Sequence, residues 1–177
     1  MKKSFGFMQI IGFIFTSLSG VLLHFLYELS NYSVIAATFS AVNESIWEHM
    51  KLLFFPMFVF AIAESIYFSG SYKNFWCVKL VGITVGVALI PIIYYAYTGV
   101  FGVSKDWINI AVFFISAFVA YWLENKLITK SFCNYPVLAL LMLCLYALIF
   151  ILYTFVPPHI PLFKDPVTGF YGYFKTA

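Results

Sequence analysis

Five stretches of this chain are apolar for long enough to cross a bilayer, and that limits what the chain can become. A helix needs about 20 mainly apolar residues to span roughly 30 Å of hydrocarbon. The stretches cover about residues 5–27, 52–68, 80–97, 107–124 and 136–156. In lipid every backbone N–H and C=O must find a partner within the protein, so continuous runs of this length are helices. The sequence predicts an all-α membrane protein: a five-helix transmembrane bundle forming one integral domain over 1–177, with a non-helical, Pro-rich tail at 157–177 folded over its outer mouth.

Composition excludes the alternatives. Hydrophobic residues make up 63% of the chain and charged ones 10%, against about 45–50% and 25% in a soluble domain. So few charges cannot cover a water-facing surface, which leaves the lipid bilayer as the main partner. The ten basic residues are all Lys and are scattered singly or in one pair, so no phosphate-binding stripe exists and nucleic acid is not a partner. Lys2 and Lys3 ahead of an apolar run, with Ser17-Leu18-Ser19 behind, fit a cleaved signal. The run continues through Val21, Leu22, Leu23, Phe25 and Leu26, however, so the first span is expected to stay as an anchor.

Lysines also suggest an orientation in the cell membrane, because cytoplasmic loops carry the excess. Lys2, Lys3, Lys73, Lys79, Lys126 and Lys130 fall on one side, and Lys51, Lys105, Lys164 and Lys175 on the other. That predicts N-terminus inside and C-terminus outside. Cys77, Cys133 and Cys144 form no CxxC pair and read as small buried apolar residues. Trp47, Trp76, Trp107 and Trp122 lie near span ends, where interfacial belts want them.

The rare polar residues gather at one end. His24 and Glu28 close the first span at a spacing of four, which puts them on one helix face. The second helix is entered through Asn43-Glu44-Ser45-Ile46-Trp47-Glu48-His49, with Asn43 or Ser40 as the expected N-cap. On that helix Glu44 would share a face with Glu48, and Ser45 with His49. His159 and Asp165 follow the fifth span. With five spans, all three places lie on the same side of the membrane.

Imidazoles with a carboxylate form the ligand set of Zn²⁺ sites, and three protein ligands plus a water is the catalytic form. The expected metal set is His24, His49 and His159, with Glu28 or Asp165 as fourth or supporting group. Glu48 and Ser45 are the candidate catalytic pair, Glu48 moving the proton of a metal-activated water. The plainer alternative is that these are hydrogen-bonded structural pairs at water-exposed helix ends. Glu64 and Glu124 lie toward the opposite end, where Lys79, Lys126 or Lys130 could pair with them. The segment 34–42 reads as an interfacial or re-entrant piece beside the mouth.

The motifs Phe39-Ser40-Ala41-Val42-Asn43-Glu44-Ser45-Ile46-Trp47-Glu48-His49-Met50-Lys51-Leu52 and Pro157-Pro158-His159-Ile160-Pro161-Leu162-Phe163-Lys164-Asp165-Pro166, together with His24-Phe25-Leu26-Tyr27-Glu28, resemble an uncharacterised family of small bacterial multi-spanning membrane proteins. The resemblance covers essentially the whole chain and implies fold and compartment but no activity. Two functions are expected from the residues. One is a membrane-embedded, zinc-dependent hydrolase of a lipid or lipid-linked substrate. The other is a small transporter or helper subunit whose polar cluster is structural, in which case Glu64 and Glu124 would matter for transport. A haem held by two of the His residues is a third, weaker reading.

Overall fold

The computed structural model describes residues 2–173, so the last four residues of the expected tail, and Lys175 with them, lie outside the described residues. Among the described residues six α-helices are present: α1 (Lys2–Leu29), α2 (Val34–Phe39), α3 (Ile46–Phe68), α4 (Phe75–Phe101), α5 (Asp106–Leu127) and α6 (Pro136–Phe155). All but α2 are long and apolar enough to cross a membrane. Among the described residues no strand forms, and the tail carries only a short 3-10 turn at Pro161–Phe163 and an isolated bridge between Lys164 and Tyr171.

Local sequence explains the helix ends. Pro136 opens α6 at a position where no N–H is needed. Gly102, at φ 72°, closes α4, a left-handed cap that glycine adopts without a Cβ clash. The largest departure from expectation is α3, which begins at Ile46 and not near Leu52. Ser45 is its N-cap, its hydroxyl accepting from Glu48 N–H, in place of Asn43 or Ser40. The apolar run starts later than the helix because Glu48 and Lys51, both almost wholly buried, pair with each other inside it. The 34–42 segment contains α2, whose Ala36 and Ala37 are buried against the bundle.

Helices α1, α3, α4 and α5 form a closed ring, each packed on two others, and α6 lies outside it against α4 and α3. Large apolar side chains such as Leu22, Ile66, Val100, Val137 and Leu148 remain exposed, as a surface in contact with lipid requires. The α4–α5 contact is close because Gly82 has no side chain: a Cβ there would fall 2.3 Å from Cγ of Glu124. Glu64, Lys79 and Glu124 meet inside the ring, so both intramembrane acids take Lys79 as partner, and Lys126 and Lys130 remain exposed.

Two sequence expectations need correction. Cys77 and Cys133 are joined in a disulfide, while Cys144 is free and exposed. Fifty-six residues separate the bridged pair, so no local motif announces it. Trp47 is not an interfacial residue, because its ring is buried between Phe150 and Phe163.

Candidate functional site

The site forms at the end of the ring where α1 finishes and α3 and α5 begin, here called the mouth. Beneath it a buried polar knot sets the geometry. The Lys51 ammonium donates to Glu48 Oε2 at 2.6 Å, to Thr154 Oγ1 at 2.8 Å and to the Ala37 carbonyl at 3.0 Å. Three donors therefore meet three acceptors, from α3, α6 and α2. Glu48 Oε2 also accepts from Val42 N–H at 3.2 Å.

The tail is fastened to the same knot. Tyr173 N–H donates to the Thr154 carbonyl at 2.7 Å, and the Asn43 side chain donates to the Gly172 carbonyl at 3.0 Å. Gly172 sits at φ 61°, with the Thr154 carbonyl 2.6 Å from where a Cβ would be, so only glycine fits. Phe163 is buried against Trp47 and Tyr153. Asp165 accepts from Val167 N–H, Thr168 N–H and the Thr168 hydroxyl, shaping a turn that places Pro166 and Val167 on the rim of a cavity. The expected docking of the tail on the mouth is found.

That cavity has a volume of about 600 Å³ and lies between α1, α3, α4 and α5. Its polar rim holds His24, Glu44, His49, Asp106 and Asn109, and its walls are apolar, with Leu52, Ile90, Val112 and Phe113 among them. On the rim, Glu44 stands between two imidazoles: Oε1 lies 3.5 Å from His24 Nε2, and Oε2 lies 3.6 Å from His49 Nε2. Among the described residues, these three form the group of His, Cys, Asp and Glu whose ligand atoms all lie within 4.8 Å of one another. Asn109 and Ser104 also line the cavity; Asn109 accepts from Tyr97, and its amide donates to Ser104 at 3.1 Å.

The tautomer of His49 follows from its other nitrogen. Nδ1 lies 2.9 Å from the Ser45 carbonyl, which can only accept, so Nδ1 carries hydrogen. In a neutral ring Nε2 is then a lone-pair acceptor turned toward a carboxylate, which is also an acceptor. A proton on the ring or a cation between the two acceptors would be favoured there, and so would water, because the Glu44 side chain is 48% exposed. An imidazole whose second N–H is fixed by a carbonyl is the usual support for a metal-ligating histidine.

The sequence-predicted residues divide. His24 and His49 come together as expected. His159 does not join them: its side chain is exposed and stacked on Tyr171, ring centres 4.7 Å apart. Proline turns the chain at 157–158 and again at 161, and Phe163 takes the buried docking position instead. Glu28 is exposed and outside the group. Asp165 is occupied by its own turn. Ser45 and Glu48 are both buried, the one capping α3 and the other held by Lys51, Val42 and Thr154, so the geometry offers neither for catalysis. Glu44 is the third member of the group with His24 and His49. Because α3 begins at Ile46, Glu44 lies just outside the helix and shares no face with Glu48. Asn109 and Ser104 were not legible as site residues.

Fold and site together define an all-helical, five-span membrane protein with a polar-rimmed, apolar-walled cavity at one end of the bundle. The chain belongs to a family described as of unknown function, DUF6512, whose profile matches residues 3–173. No curated protein and no solved structure matches it.

Replacing Phe163 with Ala should free the tail, since removing a buried Phe costs about 3–5 kcal/mol. Limited proteolysis in detergent should then release the C-terminal segment faster than from the wild type, whereas His159→Ala should leave the rate unchanged. Equal rates for Phe163→Ala and the wild type would contradict the docking.

Proposed function

We propose that His24, Glu44 and His49 hold a divalent transition metal, with zinc the best chemical match, and that the adjoining cavity receives an amphiphilic substrate. The observation that carries this reading is the placement of His49, whose Nδ1 is held by the Ser45 carbonyl while Nε2 lies 3.6 Å from the Glu44 carboxylate. Glu44 offers one oxygen to each imidazole, at 3.5 and 3.6 Å, and one ligand atom from each of the three residues lies within 4.8 Å of the others, so closing on a metal would need a small inward shift to the about 3.3–3.4 Å of a tetrahedral site.

Two His and one Glu is also the ligand set of catalytic zinc sites that keep an open position for water. If His24, Glu44 and His49 held such a metal, the site would gain a water acidified toward pKa about 7 and a Lewis acid for a carbonyl or phosphoryl oxygen. Asp106, on the same rim, is the carboxylate outside the ligand set and the natural proton acceptor. Apolar walls beside a polar rim suit a lipid or lipid-linked molecule with its head at the metal and its chain between the helices. Hydrolysis of such a substrate is the reaction class that these features favour.

Elemental analysis of protein purified without chelator tests the site. The wild type and His159→Ala should carry a stoichiometric metal ion, and His24→Ala, Glu44→Gln and His49→Ala should lose it. A metal-free wild type after incubation with zinc, or metal retained in all variants, overturns the reading. Metal binding without turnover of any lipid ester or amide would keep the site and remove the hydrolase.

For orientation, two signals pull in opposite directions. Lys51 and Lys79 are buried in ion pairs and drop out of the loop tally. Lys2, Lys3, Lys73, Lys126 and Lys130 then stand against Lys105, Lys164 and Lys175, which favours the N-terminal end inside. The Cys77–Cys133 bridge lies at that same end and favours an oxidising compartment there. Alkylation of thiols during lysis separates them. With the N-terminus inside, both cysteines should be alkylated in freshly lysed cells; a bridge already formed in the cells would reverse the orientation.

A further inference from the structure

A second polar cluster lies inside the ring, toward the end opposite the mouth. Gln9 Nε2 on α1 donates to Glu64 Oε1 on α3 at 2.6 Å. The other oxygen of Glu64 contacts the Lys79 ammonium on α4, which also donates to Glu124 Oε2 on α5 at 2.5 Å. All four side chains are at least nine-tenths buried. The rings of Phe5, Phe75 and Tyr121 surround the ammonium, and the Tyr121 hydroxyl is bonded to Thr16 Oγ1 at 2.7 Å. Each of the four ring helices thus contributes one member.

Counting charges exposes an imbalance. Two carboxylates facing one ammonium leave a formal charge of −1, and Lys79 is the cation bonded to them. An uncompensated charge at this depth is costly. Hydrogen bonding shows the same deficit from another direction. Glu124 Oε1 and Gln9 Oε1 are buried acceptors without a donor among the described residues, an arrangement that costs free energy at each atom. The site lacks one positive charge and at least one donor, and a proton on a carboxylate supplies both.

Glu64 lies four residues before the end of α3, Lys79 four after the start of α4, and Glu124 three before the end of α5, so these three lie about 4.5–6 Å inside the helix ends, with Gln9 about 10 Å along α1. A buried apolar layer of Phe5, Phe68, Phe75, Val78 and Ile128 closes this end. Phe60 and Tyr121 pack around Gly12, and Phe113 against Gly20, between the cluster and the mouth cavity.

We propose that the Gln9–Glu64–Lys79–Glu124 cluster is an intramembrane proton-binding site, in which one exchangeable proton is shared by the two carboxylates beside the fixed ammonium. The proton comes from the aqueous phase and returns to it, and the only bond made or broken is the carboxyl O–H. Lys79 already occupies the position between the acids, which leaves a proton a better fit than a second, larger cation. This site is independent of the metal reading at the mouth.

Infrared spectroscopy of the protein in lipid nanodiscs tests the proposal. At neutral pH the wild type should show the carbonyl stretch of a protonated carboxylic acid, and the band should shift when glutamate is ¹³C-labelled at the side-chain carboxyl. It should be missing from the Glu64→Gln/Glu124→Gln double variant, retained in Glu28→Gln and Glu44→Gln, and identical in sodium and potassium buffers. The labelled wild type decides the matter even where the double variant fails to fold. Absence of the band, its loss in Glu44→Gln, or its suppression by sodium overturns the proposal.

Discussion

Neutralising charge inside a low-dielectric bundle is the constraint on which the rest of this structure depends. An unpaired buried ion is expensive, and a pair is tolerated only when geometry and hydrogen bonds are nearly complete. Lys51 meets that condition with all three of its N–H groups. In doing so it fixes α2, α3 and α6 relative to one another, and through the Thr154 carbonyl it also holds the end of the tail. The first turn of α3 is buried because Glu48 and Lys51 are paired, and that buried turn points His49 at Glu44 and His24. The candidate site is thus positioned by residues that take no part in its chemistry.

The ring of α1, α3, α4 and α5 carries polar groups at both ends and apolar packing between them. On α1 the residues facing this seam are Gln9, Gly12, Thr16, Gly20 and His24, spaced by three or four so that they lie along one face. At the mouth the polar groups border a cavity and are half-exposed; at the other end they are closed off. The same four helices therefore carry a half-exposed polar rim beside a cavity at one end and a closed, buried polar cluster at the other. The separation follows from where glycine admits aromatic rings, Phe60 and Tyr121 at Gly12 and Phe113 at Gly20.

Much of this architecture was legible in the sequence because lipid leaves few choices. Five apolar runs gave five spanning helices, and an odd number of spans placed His24, the entry to α3 and the tail at one end. A lysine partner for Glu64 and Glu124 was legible as one option, beside side chains reaching out to the interface; that both acids instead stay buried on Lys79 was not. What was not legible depended on tertiary contacts. The i,i+3 spacing of Glu48 and Lys51 made their pairing legible, but not that the pair is buried within the first turn of α3, before the apolar run begins. The Cys77–Cys133 bridge joins segments with no shared motif. Glu44 looked like a first-turn acid, and only the helix start at Ile46 swings it toward the imidazoles. His159 sits in a motif that suggested a ligand, but proline geometry sends Phe163, not the imidazole, into the bundle.

The Glu48–Lys51 pair holds the mouth together, and the thermal stability of three variants in one detergent measures how much. Lys51→Met should destabilise the protein strongly, by about 3–5 kcal/mol, because it leaves a buried carboxylate unpaired. Glu48→Leu should do the same to the ammonium, while the Glu48→Leu/Lys51→Met double variant should recover most of the loss. A Lys51→Met protein as stable as the wild type, or a double variant whose loss equals the sum of the single losses, would contradict the account.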